Sequence, residues 1–221
     1  MTAKTFIVIP AHNERKYIAG VIKRTKKFCK NIIVVDDGST DNTFEVAKKE
    51  GIVVLKHIVN LGKGAALKTG CEYALKKGAG IIVVMDADGQ HRPEDIPRFL
   101  KALQGNDIIF GARSLDKTMP SILKFGNWFI NRTNQVLFDV SLMDTQSGYR
   151  AFTAEAYRKI KWDAQDYSVE SEMIANAGNK GLKYSEIKIK TIYTDRYKGT
   201  TILDGIKIVI TMLWWRVTKW H

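Results

Sequence analysis

Short apolar runs alternate with amphipathic stretches through the first half of the chain. The runs Phe6–Ile9, Ile32–Val35, Ile52–Leu55, Ile81–Met85 and Ile108–Phe110 are rich in β-branched residues and are continuously apolar. Such runs read as strands buried on both faces. Between them, Tyr17–Phe28, Thr43–Lys49, Ala65–Lys76 and Glu94–Leu103 carry the three-to-four-residue repeat of helices. Asp41 suits the N-cap of the second helix, and Gly51 and Gly78 stand where helices should stop. Strand–helix–strand repetition predicts an α/β fold with a mainly parallel sheet flanked by helices. Ligands then bind beyond the carboxyl ends of the strands. The second half is less regular. Pro120–Phe138 reads as an apolar helix whose basic residues are Lys124 and Arg132. Tyr149–Thr153 and Lys183–Tyr193 read as strands, Val169–Asn176 as a helix, and Thr200 to the end as a further helix.

That last segment sets Ile202, Leu203, Ile206, Val209, Ile210, Leu213, Val217 and Trp220 on one broad face at 100° per residue. Asp204, Lys207, Thr211 and Thr218 form the opposite polar stripe, with Trp215 at its flank. An amphipathic helix of this kind fits either an interfacial position among lipid headgroups or packing on protein.

Composition narrows the classes. The chain has 221 residues, 45% hydrophobic and 26% charged, enough apolar material for a core. The formal net charge is +12, which favours an anionic partner. Residues 180–221 hold nine Lys/Arg against three Asp/Glu, half of that excess. Cys29 and Cys71 are the only cysteines, so a disulfide framework and a CxxC metal site are excluded. No apolar run reaches the roughly eighteen residues of a membrane span. The first residues lack the pattern of a signal peptide. A cytoplasmic protein, at most peripheral to a membrane, is the expectation.

The candidate chemistry lies after the strands. The first is followed by Pro10-Ala11-His12-Asn13-Glu14, the second by Asp36-Asp37-Gly38-Ser39-Thr40-Asp41, the fourth by Asp86-Ala87-Asp88-Gly89-Gln90-His91. A carboxylate at a strand end accepts hydrogen bonds from a ribose or base, or holds a metal. Asp37 and Asp41 also suit plain turn and cap chemistry. Asp86 and Asp88 would repel each other unless a cation lay between them. In an extended segment they share a face, and with Gln90 they form a hard-oxygen set for Mg2+ or Mn2+. Asn60-Leu61-Gly62-Lys63-Gly64 lacks the spacing of a P-loop. It fits a helix-start turn or a lysine near phosphates. His12 and His91 have no partner histidine at zinc spacing, and His57 reads as a strand end.

VIPAHNE, VVDDGSTDNT, NLGKGAALKTG and MDADGQHRPED, followed by GAR at 111–113 and DTQSGYRAF at 144–152, resemble the family 2 glycosyltransferases of the Rossmann-like GT-A fold. The similarity spans roughly residues 5–200 and points to the branch that glycosylates polyprenyl phosphates, including the dolichyl-phosphate mannose and glucose synthases. It implies a GT-A domain over 1–200, with a nucleotide-sugar half (1–112) and an acceptor half (113–200), followed by the amphipathic helix 201–221. It implies that Pro10, His12, Glu14, Val35, Asp37, Asp86, Ala87 and Asp88 bind a UDP- or GDP-sugar. Asp86, Asp88 and Gln90 would hold the metal. Arg113 and Arg196, the latter in a closing loop, would face phosphates, with Asp88 and both arginines as the catalytic set. Arg113 and Lys124 would meet the acceptor phosphate. The implied reaction inverts the anomeric centre and loads a dolichyl or polyprenyl phosphate at the cytosolic face of a membrane. Relatives with hydroxyl acceptors carry an acidic base near the start of the helix at Val169, where this chain has Glu170 and Glu172. These acids also suit solvated or capping roles. A basic nucleic-acid-binding protein is disfavoured, because the chain has no helix-turn-helix, zinc finger or aromatic RNA motif. A nucleotidyltransferase would need a Gly-rich N-terminal loop with Arg and Lys.

Overall fold

A computed structural model describes residues 3–113, 121–190, 192 and 202–218; the side chains of residues 121–125, 127 and 202–206 are outside that description. Strands β1 (Thr5–Ala11), β2 (Ile32–Asp37), β3 (Val53–His57) and β4 (Ile81–Val84) alternate with helices α1 (Ile18–Thr25), α2 (Thr43–Lys49) and α3 (Lys63–Lys76). After β4 come a 3-10 turn (Pro93–Asp95), α4 (Ile96–Ala102), β5 (Ile108–Arg113), α5 (Ser121–Phe138), β6 (Arg150–Thr153), α6 (Ala154–Lys159), α7 (Val169–Asn179), β7 (Tyr184–Ile189) and α8 (Ile202–Thr218). The seven strands form one sheet in the order β3-β2-β1-β4-β6-β5-β7. All neighbours are parallel except β6, which runs antiparallel to both β4 and β5.

The continuous apolar runs of β1, β2, β4 and β5 follow from burial on both faces, whereas β3, at the edge of the sheet, is part-exposed and not the doubly buried strand expected. In β1, Ile7 and Ile9 face a layer containing α1, α2 and α4, whereas Phe6 and Val8 face α3 and the later helices. Each face thus excludes water without an alternating polar side. The strand order reverses between β1 and β4, which opens a crevice at their carboxyl ends. Because β6 is antiparallel, Arg150 lies beside Val84 and Phe110. The segment leading into β6 therefore arrives at that same end.

Several boundaries differ from the sequence reading. The helix expected over Tyr17–Phe28 is regular only from Ile18 to Thr25. The strand expected to reach Tyr193 ends at Ile189. Helix α6, six residues long, has no counterpart in the periodicity analysis. Asn42, not Asp41, is the residue preceding α2, but Asp41 still accepts the Thr43 N–H at 2.9 Å and so satisfies a free donor of the first turn.

Helix α8 corrects a further expectation. Ile208, Met212 and Trp215, spaced i, i+4, i+7, are buried in the core that α3, α5 and α7 share. Trp215 is therefore an inward anchor and not a residue flanking a polar stripe. Ile210, Leu213, Trp214 and Val217 face outward, with Trp214 66% exposed. This helix is apolar nearly all round and offers two seams. Contact with α5 selects one of them. Among the described residues no helix is long and apolar enough to cross a membrane.

Candidate active site

A cleft of about 550 Å³ lies at the carboxyl ends of β1, β2, β4 and β5. It brings together Pro10, His12, Glu14, Asp37, Asp86, Ala87, Asp88, Gln90, Arg113 and Glu170, residues scattered over more than 150 positions. Lys63, His91, Gln146 and Gly148 complete much of its lining. Val35 is not part of it. Its side chain is fully buried, and α3 lies so close that a Cβ on Gly70 would stand 3.1 Å from Val35 Cγ2. The expected contact of Val35 with a base is thus replaced by helix–sheet packing. Arg196 lies outside the described residues, as does the side chain of Lys124.

One wall is held by turn chemistry. Asn13 adopts a left-handed backbone (φ 56°), which Asn tolerates better than most residues. Its Oδ1 accepts the N–H groups of Thr40 (2.9 Å) and Asp41 (3.3 Å), tying the loop after β1 to the loop after β2. Asp37 is 3% exposed. Its Oδ1 accepts from His57 Nδ1 (2.7 Å) and the Leu61 N–H (3.0 Å), and its Oδ2 from the Gly62 N–H (2.8 Å). A ribose or base contact to Asp37 would therefore share oxygens already engaged in holding the start of α3. His57 does end β3 and also orients this carboxylate, while its Nε2 meets Thr69 Oγ1 at 3.0 Å. His12 Nδ1 lies 2.8 Å from the Asp37 carbonyl, so this nitrogen carries the proton.

The opposite wall is held by charges. Arg113 donates twice to Asp144, Nε to Oδ2 at 2.7 Å and one terminal nitrogen to Oδ1 at 3.0 Å. This bidentate geometry fixes the guanidinium plane. Arg150 is 1% exposed and donates to the carbonyls of Thr145, Ser147 and Glu170 at 2.8–3.1 Å. Burial lowers it to about 10, so it stays charged at neutral pH. Lys63 Nζ bridges Asp86 Oδ1 (2.7 Å) and Glu170 Oε1 (2.8 Å). Glu172 Oε2 instead accepts the N–H groups of Asp163 (3.1 Å) and Ala164 (2.7 Å). Neither acid is solvated: Glu170 lines the cleft and Glu172 holds a loop.

The two aspartates after β4 have unequal environments. Strand β4 ends at Val84 and residues 87–89 form a bend, so Asp86 and Asp88 do not lie in the expected extended segment. Both carboxylates still face the cleft. Burial pushes Asp86 up, but the Lys63 ammonium outweighs it and holds the group at about 2. Asp88 is pushed up to about 6, first by burial and then by the Asp86 charge. Its Oδ1 accepts the Gln90 N–H at 2.9 Å. The Gln90 carbonyl accepts the Ile192 N–H at 3.0 Å, leaving the side-chain amide for a ligand. His91 accepts the Asp86 N–H at its Nδ1 (3.0 Å) and stacks on Tyr149, with ring centroids 4.9 Å apart. Burial lowers it to about 4. The imidazole is therefore neutral, and its 3.8 Å approach to Asp86 Oδ2 is not an ion pair.

The residues fit a hard divalent cation. Two carboxylates share the site, and one is raised by burial and by the charge of the other. Among the described residues no group of three or more His, Cys, Asp or Glu is placed to hold a metal by itself. A cation held here would keep positions open for phosphate and water, as Mg2+ does. Sequence reasoning missed Asp144, Asn13 and the His57–Asp37 pair as parts of the site. Asp144 opens the quoted DTQSGYRAF stretch, yet its partner is 31 residues away.

Comparison with known proteins gives concordant matches. The model of glycosyl transferase family 2 matches residues 6–161. An uncharacterized protein of Methanocaldococcus jannaschii is 43% identical over 219 residues, covering 94% of this chain and 90% of that one. A UDP-N-acetylglucosamine–dolichyl-phosphate N-acetylglucosaminyltransferase of Methanococcus voltae is 33% identical over 242 residues, covering 97% and 96%. Among solved structures, glucosyl-3-phosphoglycerate synthase of Mycobacterium tuberculosis, in complex with Mn2+ and UDP-glucose, is similar with a TM-score of 0.74 at 20% identity. That likeness covers 97% of this chain and 79% of the other.

Proposed function

The chain belongs to glycosyl transferase family 2, and on that premise we propose that it moves a sugar from a nucleoside diphosphate to a polyprenyl or dolichyl phosphate at a membrane surface. The observation that carries the reading is the pair Asp86 and Asp88 in a cleft that also holds Lys63 and Arg113. Carboxylates for a cation and cations for phosphates stand together, as transfer from a diphosphate requires. Asp88, Asp86 and the Gln90 side chain are the residues that would hold Mg2+ or Mn2+. When bound, that ion screens charge growing on the departing diphosphate.

The chain's own groups do the rest. Pro10, His12 and Glu14 line the side where the nucleotide would lie. Arg113, its plane fixed by Asp144, faces the phosphates; Arg196 and Lys124 are the further basic groups assigned to donor and acceptor. An oxygen of the acceptor phosphate attacks the anomeric carbon from the face opposite the leaving group. The bond from that carbon to the diphosphate oxygen breaks, the nucleoside diphosphate departs, and the configuration inverts. A phosphate nucleophile is already anionic at neutral pH, so positioning is the main requirement. A hydroxyl acceptor would require Glu170 as base, yet its Oε1 is held by Lys63.

The outer faces of α5 and α8 support a lipid setting. Trp128, Phe129 and Val136 on α5, and Ile210, Leu213, Trp214 and Val217 on α8, are exposed. Arg132, Lys207 and Arg216 are exposed on the same two helices. Aromatic and basic side chains together suit an anionic headgroup layer. A donor screen tests the reading: UDP-glucose, UDP-N-acetylglucosamine and GDP-mannose, each with a short polyprenyl phosphate and Mn2+ or Mg2+. Sugar appearing in the lipid phase with one donor supports it; failure of all three with lipid, alongside transfer to a saccharide, overturns it.

A further inference from the structure

Lys63 is the first residue of α3, and its side chain is only 17% exposed. Its ammonium is shared by two carboxylates from distant elements, Asp86 after β4 and Glu170 on the first turn of α7. Gly148 closes over the same atoms. A Cβ there would stand 2.7 Å from Lys63 Nζ and 2.8 and 2.9 Å from the Asp86 oxygens. The second oxygen of Glu170, Oε2, is buried without a hydrogen-bond partner. One of the two carboxylates sharing the lysine is thus an assigned cation ligand, and the other is an acid with spare accepting capacity.

A single carboxylate cannot give its full charge to an ammonium and a divalent cation at once. We propose that Lys63 is a resident counter-ion that occupies Asp86 when the cleft is empty and is retained by Glu170 when a divalent cation and a diphosphate load. In this arrangement the incoming ion displaces the ammonium from Asp86. Glu170 keeps the ammonium inside the cleft, where it adds positive charge beside the diphosphate. Glu170 is then a positioning residue acting through Lys63. The inference rests on the cation site proposed above.

Mn2+ binding to the donor-free protein, followed by electron paramagnetic resonance, tests it apart from any transfer assay. Lys63→Met removes the competitor, so Mn2+ should bind at least about fivefold tighter than to wild type. The same variant should lose at least about tenfold in kcat, because the diphosphate loses its ammonium. Glu170→Gln leaves Lys63 to Asp86 alone and should weaken Mn2+ binding by about threefold or more. In the Lys63→Met background, Glu170→Gln should have little further effect on Mn2+, because Glu170 acts through the lysine. Unchanged or weaker Mn2+ binding by Lys63→Met, or fully additive effects in the double variant, overturns the proposal. Should Lys63→Met not melt cooperatively, Glu170→Gln decides, and Mn2+ affinity equal to or above wild type overturns it. Asp88→Ala separates the two levels. If it leaves Mn2+ binding intact, the cation site itself is wrong; if it abolishes binding while Lys63→Met fails to tighten it, only the counter-ion role is wrong.

Discussion

The two walls of the cleft are built from different interactions. On the side of β1 and β2, polar side chains satisfy backbone donors: Asn13 takes the N–H groups of Thr40 and Asp41, and Asp37 those of Leu61 and Gly62. On the side of β5, β6 and α7, charges answer charges: Asp144 holds Arg113, and Lys63 joins Glu170 to Asp86. A backbone donor has a fixed place, so a wall made of such bonds is pre-formed, and under the proposed function it would receive the nucleotide. A lysine ammonium on its flexible stem can change partner when another anion arrives, whereas Arg113 stays held by its bidentate bond to Asp144. The contrast assigns recognition to the first wall and the handling of moving charge to the second.

The largest expected effect lies where the walls meet. Asp88→Ala should lower transfer by about a thousandfold or more while the melting temperature stays near that of wild type, since among the described residues the Asp88 carboxylate accepts only the Gln90 N–H. A fold lost along with activity would make Asp88 a structural residue and erase the distinction. Next, Asp144→Ala should cost about tenfold to a hundredfold in kcat/KM by releasing the plane of Arg113. An equal loss from the conservative Arg113→Lys would confirm that bidentate geometry matters, and full activity in both variants would remove Arg113 from the mechanism.

On the first wall the effects should be mainly on stability. Asn13→Ala removes acceptors for two backbone N–H groups and strains a left-handed position, costing about 1–3 kcal/mol in urea unfolding. A donor KM that rises while kcat holds would mark the wall as a recognition surface. The buried imidazole behind Asp86 predicts a pH effect. In the fold His91 is held at about 4, below its ordinary 6.5, by burial. The unfolded chain therefore binds the extra proton first, and stability falls as pH drops from about 6.5 towards 4, levelling off below. Asp88, raised to about 6, works in the opposite sense over the same window, so the His91 loss of roughly 1–3 kcal/mol is read by chemical denaturation of Asp88→Asn, and a flat profile in that variant would contradict it. The smallest effect is on the outer surface: Trp214→Glu should weaken flotation with anionic vesicles severalfold and leave transfer to a water-soluble acceptor analogue unchanged.

The same contrast explains what the sequence disclosed. Strands β1 and β2 were legible because burial on both faces demands unbroken apolar runs, and α3 because its buried Leu67, Cys71 and Ala74 recur at helical spacing. The acidic strand ends were legible because they follow those runs directly. Partners contributed from far along the chain were not. Asp144 reaches Arg113 across 31 residues and His57 reaches Asp37 across 20, and no local pattern joins them. Val35 carried the right parity for the cleft but one register too deep, where α3 covers it. Helix α8 was legible as a helix, yet its inward seam of Ile208, Met212 and Trp215 was set by α5, which only the tertiary structure supplies.

The most direct test of the central claim offers the enzyme a choice of acceptor. Wild-type protein receives a radiolabelled nucleotide sugar, Mn2+, and equal concentrations of a short polyprenyl phosphate and a saccharide, and the label is partitioned between organic and aqueous phases. Label is expected on the lipid, lost in Asp88→Ala and only reduced in Glu170→Gln. Label confined to the saccharide, and abolished by Glu170→Gln as fully as by Asp88→Ala, would contradict it.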